Sequence, residues 1–223
     1  MSEFNHPNMT PWGYTIDSES LPDLLTTTEF ANFTGGKFTP SDPRVTPNIK
    51  SASSSIRNFC GWHISPALTC GMIYRVVDLR DAFIGHDLLI QLPSTFVSSV
   101  EKIVINAKMN PGTGYYEGDE IGADDFNLEG SGMVRLYDVD YIDRKSKIFI
   151  KFVSGLSDSQ IGAIKEIMAN SVTKGLTNTY GVSNEAAGGV SITYNTSWSG
   201  KGSTALANDT REVLDPYKVK GVF

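Results

Sequence analysis

Four side chains of the kinds that bind zinc lie in the first half of the sequence: Cys60, His63, Cys70 and His86. Two residues separate Cys60 from His63, an acceptable spacing for the first ligand pair of a zinc site. The other spacings match no known ligand frame, and Cys60 falls on the apolar face of a predicted helix. Zinc stays an alternative, but we favour reduced, buried thiols and surface or loop imidazoles, and we expect no metal or other cofactor.

Other catalytic patterns are missing from the sequence. Nucleophilic catalysis needs a base beside the nucleophile, and neither a Gly-x-Ser-x-Gly motif nor a Gly-Lys-Ser/Thr phosphate loop occurs. Glycines in residues 112–118 lack the dinucleotide-binding spacing. Acidic residues at 119–125 and at 138–143 do not match the calcium-binding loop, so we interpret them as solvated surfaces. We therefore expect a protein that is not an enzyme.

Local signals predict two helices in the first quarter of the chain. Thr26 and Glu29 fit a capping box that opens a short helix, which Gly35 and the next glycine end. Thr46 precedes a proline, as at the start of a second helix, and Gly61 is a natural stop for that helix. Apolar residues recur at helical spacing between these two positions.

Two further helices are predicted in the last third. Ser157 and Gln160 fit a capping box, and apolar residues at helical spacing continue to about Thr177. A closing helix begins near Leu206, and Pro216 stops it.

Between the second and third helices, residues 63–155 are rich in β-prone runs separated by turn-forming residues. These runs are residues 73–77, 88–92, 102–105, 133–137 and 147–153, and a separate strand is predicted at 189–194. The stretch from Met109 to Gly132 is rich in glycine and aspartate and predicts a hairpin extension or a mobile loop.

Together these elements predict an α+β protein. Its scaffold is a small helical domain over residues 21–223, with about four helices, an antiparallel β-rich insertion at 63–155, and a C-terminal helix and tail at 206–223. Residues 1–20 are polar and without periodicity, which predicts an extended arm. Because a free terminus is ordered only when something holds it, we expect this arm to pack on another subunit or partner.

Composition restricts the partners. The net charge is −6 at pH 7, which does not favour tight nucleic-acid binding. No run of about 18 apolar residues predicts a membrane span, and the start has no secretory signal pattern. We expect a protein that is made in the cytoplasm and does not bind a membrane.

A run around the end of the second predicted helix carries a resemblance to a known family. Its residues are Ile56-Arg57-Asn58-Phe59-Cys60-Gly61-Trp62-His63-Ile64-Ser65-Pro66, preceded by Asp42-Pro43-Arg44. It resembles the opening of the head–tail connector (adaptor, or head-completion) proteins of long-tailed bacteriophages and prophages, where a helix of small residues ends in a Cys-Gly-Trp-His-x-x-Pro turn. The closing pattern Asn-Asp-x-Arg-x-x-Leu-x-x-Tyr, from Asn208 to Tyr217, matches in order, so the resemblance covers about residues 25–220.

The resemblance implies a structural virion protein made in the host bacterium and located in the neck. It would form a closed, twelve-fold ring of identical subunits below the portal protein and offer a platform to a neck or tail-terminator protein. DNA would pass through the ring during ejection without sequence-specific binding. The implied portal-docking residues are Leu206, Arg211, Leu214, Tyr217, Lys218, Lys220 and Phe223, and the expected structural anchors are Cys60, Gly61, Trp62, Ser157 and Gln160.

Three other functions stay open at this point. The nearest is another phage neck, tail or baseplate component. A ligand-binding β module for carbohydrate or peptide is supported by the pair Tyr115-Tyr116 in the glycine-rich stretch. An unrecognised hydrolase has no positive support in the sequence.

Overall fold

The structure, a computed structural model, describes residues 9–76, 83–112, 116–139, 142, 145–177, 184–187, 190–193 and 208–219. The chain divides into two compact units, each assembled from segments that are far apart in sequence. Within the described residues, no helix is both long enough and apolar enough to cross a membrane.

The first unit is built of β-strands from Gly61–Asp158, joined by the N-terminal residues up to Leu21 and the C-terminal residues from Tyr217. In the described part of this unit, nine strands form two antiparallel sheets, in the orders β1-β2-β9-β5-β6 and β3-β4-β8-β7. The bounds are β1 Thr15–Ile16, β2 Leu68–Arg75, β3 Phe83–Ile84, β4 Asp87–Gln91, β5 Val97–Met109, β6 Tyr116–Glu120, β7 Phe126–Glu129, β8 Met133–Leu136 and β9 Lys147–Ser154.

The two sheets share one apolar core. Strand β9 illustrates how its sequence places residues there, because Ile148, Ile150 and Phe152 alternate with outward-facing residues and are fully buried. The hydroxyl of Tyr74 in β2 donates to the carbonyl oxygen of Gln91 in β4 over 2.6 Å, which links the two sheets. Burial raises the pKa of the Tyr74 phenol far above its ordinary value, so this hydroxyl remains a donor.

The outer face of the five-stranded sheet carries a second, smaller apolar cluster. Val104, Ala107 and Phe149 are buried there, and Ile73 and Tyr116 pack against them. The rings of Tyr116 and Phe149 stack with centroids 4.7 Å apart. Strand β9 is therefore apolar on both faces over part of its length, with Phe149 on the outer face and its core-facing residues on the other.

The second unit contains the helices, in residues 22–60 and 159–216. The helices are α1 Thr27–Phe33, α2 Val45–Cys60, α3 Gly162–Thr177 and α4 Asn208–Leu214, and a hairpin of β10 Asn184–Ala187 and β11 Val190–Thr193 belongs to the same unit. The predicted capping box of α1 is confirmed: the Thr26 side chain accepts from the backbone N–H of Glu29, and the Glu29 carboxylate accepts from the backbone N–H of Thr26.

The predicted fold class, a small helical connector domain with a β-rich insertion, is wrong. The strands form a unit with its own core, and that unit also contains β1 near the N-terminus and Tyr217 near the C-terminus. An insertion would borrow its apolar packing from a host domain, whereas here the inner faces of two sheets bury each other. The β unit is a principal part of the fold rather than an addition to the helices.

The individual helices and strands were predicted more accurately than the architecture. All six predicted β-prone runs contain strands, and the helix bounds agree to within a few residues. The stretch from Met109 to Gly132 holds β6, which pairs with β5, and β7, which pairs with β8, so the hairpin alternative is the correct one for its described part. The predicted arm at residues 1–20 includes Tyr14 and Ile16, which are buried in the β core, while residues 1–8 lie outside the described residues.

Candidate functional site

The turn Gly61–Pro66, which carries the family resemblance, follows directly on α2. Gly61 has φ of +78°, a left-handed conformation that ends the helix at little cost for a glycine. Trp62 is completely buried, and its indole N–H donates to the carbonyl oxygen of Tyr217 over 2.6 Å. A Cβ at Gly61 would lie 3.9 Å from Cβ of Val219, so the C-terminal residues pack directly on this turn.

His63 forms the polar centre of the same turn, and it is also completely buried. Its Nδ1 lies 2.8 Å from the Tyr14 hydroxyl oxygen, and its backbone N–H donates to that oxygen over 3.0 Å. Its Nε2 lies 3.1 Å from the carbonyl oxygen of Pro66 and 3.0 Å from that of Ser154. Because carbonyl oxygens only accept, Nε2 carries the proton, and the Tyr14 hydroxyl donates to Nδ1.

This network leaves His63 with no free nitrogen for a metal or a substrate proton. Instead it joins three segments: the N-terminal hairpin through Tyr14, the turn itself, and the end of β9 through Ser154. No sequence signal indicates this network, because Tyr14 lies in a polar stretch that predicts an arm. His63 lies in a turn, as expected of a loop imidazole, but its burial was not expected.

The other members of the alternative zinc set do not form a ligand cluster with it. Cys60 and Cys70 are buried thiols that are not in a disulfide, and burial raises the pKa of Cys70 to about 12. His86 lies in the exposed turn between β3 and β4. Across the described residues, no group of three or more His, Cys, Asp or Glu side chains is arranged to hold a metal ion.

The predicted portal-docking residues divide into exposed, buried and undescribed ones. Arg211 on α4 and Lys218 beyond it are exposed. Leu214 is completely buried, and Tyr217 is partly buried with its carbonyl oxygen bound to the Trp62 indole. The remaining members of the predicted set, Leu206, Lys220 and Phe223, lie outside the described residues.

The predicted anchors Ser157 and Gln160 lie at a 3-10 turn before α3, rather than at the start of the α-helix itself. Ser157 immediately precedes a 3-10 turn, Asp158–Ile161, which contains Gln160 and leads into α3 at Gly162. Leu156 and Ile161 on either side are both buried. Ser157 and Gln160 therefore stand at the start of the helical segment, and their reciprocal capping bonds stay a prediction.

Sequence reasoning missed an ion pair in the helical unit. The Lys165 ammonium on α3, whose side chain is 9% exposed, contacts the carboxylate of Glu29, whose side chain is 34% exposed. Burial alone would raise the pKa of Glu29, but hydrogen bonds from Lys165 and from Thr26 outweigh it and hold the pKa below its ordinary value. The Glu29 carboxylate thus caps α1 and also forms an ion pair with Lys165 on α3.

We expect Glu29→Gln to lower the free energy of unfolding by about 1 kcal/mol at pH 7, a figure reduced for the exposure of the carboxylate. Since the folded pKa is lowered, this contribution is present above the unfolded pKa and is lost as pH falls through the folded pKa. Urea unfolding of both proteins from pH 7 to pH 3 should show the difference shrinking with acidity. Glu120→Gln, which removes an exposed pair with Lys102, is the control and should change little at pH 7. An equal loss at all pH values would contradict the ionic origin.

The aromatic pair that supported a ligand-binding module is only partly described. Tyr115 lies outside the described residues, and the ring of Tyr116 is stacked on Phe149 against the outer sheet face. Partial burial raises the pKa of Tyr116 above its ordinary value. The ring of Tyr116 is therefore committed to packing within its own sheet.

Comparison with protein-family models and with curated proteins gives no match for this chain. The geometry of the turn, the C-terminal segment and the exposed surfaces is thus the basis on which function is considered.

Proposed function

We propose that this protein is a structural subunit of a bacteriophage neck, forming a ring below the portal that joins head to tail and continues the DNA channel. The observation that supports it most is the turn Gly61–Pro66. The residues that resemble the connector family are used to hold three distant segments together, with Trp62 and His63 completely buried. Such a use suits a rigid building block rather than a site of chemistry.

The C-terminal segment supplies the proposed contact with the portal. Trp62 holds the carbonyl group of Tyr217, so the chain from Tyr217 to Val219 is fixed on the β unit. Arg211 and Lys218 are exposed cations in a chain of net charge −6, and their complement on the portal would be acidic groups. Leu214 is completely buried, so it is not part of the proposed contact area.

The ring wall facing the DNA is proposed to be acidic. Phosphates are repelled by carboxylates, so a net negative lining would let DNA pass without retaining it. A closed ring requires each copy to present two different, complementary patches to its neighbours. The protein would be made in the host cytoplasm and reside in the neck of the virion.

The decisive experiment is binding to portal particles of the same virus. We expect Arg211→Glu combined with Lys218→Glu to weaken binding at least tenfold, while Lys50→Glu, an exposed cation on α2, leaves it unchanged. Charge reversal is preferable to truncation, because removing residues from 216 onward would also remove the acceptor of Trp62. Negative-stain images should show rings on the portal. Rings bound to the tail tube would support a tail component, and unchanged affinity of the double variant would contradict the docking assignment.

A further inference from the structure

A shallow apolar groove crosses the outer face of the five-stranded sheet. Its volume is about 60 Å³, and it is lined by Met9, Thr15, Gly71, Ile73, Tyr116 and Phe149. Ligand pockets for drug-sized molecules are several times larger. A cavity of this size holds roughly four or five water molecules, or part of one apolar side chain. The groove is therefore suited to a single anchoring residue.

The described chain begins at the rim of this groove. Met9 lines it, and residues 1–8, MSEFNHPN, precede it. Phe4 is the only aromatic residue among these eight. Between Phe4 and Met9 the chain can span at most about 17 Å. The arm is thus long enough to reach past the edge of its own sheet.

The direction of the chain at Met9 leads away from the groove. Met9 bridges Thr15 in an antiparallel sense, so a straight continuation from Met9 toward residue 1 passes beside Ile16. Thr15 lies opposite Gly71 and Ile16 opposite Cys70, so this direction runs away from Ile73. To fill its own groove, the arm would have to reverse across the sheet face.

We propose that the groove binds Phe4 from the N-terminal arm of a second copy of this chain. The aromatic ring would fill the space between Ile73 and the stacked pair of Tyr116 and Phe149, removing apolar surface of both partners from water. Arm and groove are different surfaces, so each copy can give one arm and receive another, as a head-to-tail ring requires. The inference rests on the proposed ring, because it names the two surfaces through which neighbouring subunits of that ring would touch.

Disulfide trapping between separate chains tests this contact. Asn5→Cys, which keeps the Phe4 ring, is prepared in one batch and Ile73→Cys, with a tag that changes its mass, in another. After mixing and mild oxidation, we expect a disulfide-linked dimer containing one chain of each kind. Cys60 and Cys70 are completely buried and should contribute little background. Ile84→Cys, a 58% exposed position on the other sheet, replaces Ile73→Cys in the control.

The mixed dimer should exceed that of the control at least fivefold and should increase with protein concentration. A chain carrying both Asn5→Cys and Ile73→Cys separates the alternatives. Disulfide-linked oligomers support exchange between copies, whereas a monomer that has lost two hydrogens shows that the arm binds its own groove and overturns the proposal. Absence of either product up to millimolar concentration overturns it as well. Because no portal is present, this outcome is independent of the portal-binding experiment.

Discussion

Replacing Trp62 with alanine is expected to lower the free energy of unfolding by about 3–5 kcal/mol, the usual cost of removing a large buried aromatic side chain. The indole is completely buried, and its N–H is bound to the Tyr217 carbonyl oxygen. The substitution leaves a cavity beside Gly61 and an unpaired carbonyl group, and these costs add. Urea or thermal unfolding followed by circular dichroism gives the measurement.

Two further variants separate packing from hydrogen bonding. Trp62→Phe keeps most of the apolar volume but removes the donor, so we expect a loss of about 1–3 kcal/mol. Phe33→Ala removes an aromatic side chain that is 52% exposed and should cost clearly less than either. If Trp62→Ala unfolds at the same denaturant concentration as Phe33→Ala, the turn does not anchor the C-terminal residues as described.

His63→Ala is expected to lower the free energy of unfolding by about 3 kcal/mol or more. The change leaves the Tyr14 hydroxyl without its acceptor and the carbonyl groups of Pro66 and Ser154 without their imidazole donor, all in a buried site. Since these partners come from separate segments, we also expect the N-terminal hairpin to exchange its backbone amide hydrogens faster. Hydrogen exchange read by mass spectrometry on peptides around Tyr14 measures this.

The matched control is His86→Ala, which removes an imidazole from the exposed turn between β3 and β4 and should change stability by less than about 0.5 kcal/mol. His63→Gln offers an amide donor and is expected to recover part of the loss if it can reach one of the carbonyl oxygens. Equal stability of the two alanine variants would show that the buried network contributes nothing.

Elements whose signals are local could be predicted from the sequence. The capping box at Thr26 and Glu29 involves neighbouring residues, and the alternation in β9 reflects the pleat of a single strand. The division into two units could not be predicted, because it depends on which strands pair. Strand β1 has two residues and no periodicity of its own, and its place is set by pairing with β2, more than fifty positions later. The helix signals were clearer than the strand signals, which led to the wrong choice of scaffold.

The candidate site shows the same limit. A tryptophan after a helix-ending glycine predicts a buried anchor, and Trp62 is buried. Its acceptor, a backbone carbonyl group, leaves no mark on the sequence at Tyr217. The hydrogen bond between His63 and Tyr14 could not be predicted either, because the polar residues around Tyr14 predict an extended arm. Contacts between distant residues of ordinary type need the fold before they can be recognised.

The hydrogen bond between Trp62 and Tyr217 joins residues 155 positions apart, and this sets when the protein can finish folding during synthesis. A ribosome releases the chain from its N-terminal end, so the strands of the β unit emerge well before Tyr217 does. Until Tyr217 has emerged, Trp62 lacks its acceptor, and closing so long a loop is slow. Nascent chains that stop before Tyr217 should therefore leave the Trp62 indole more exposed than longer chains do, and binding of chaperones to Trp62 would be confined to that interval.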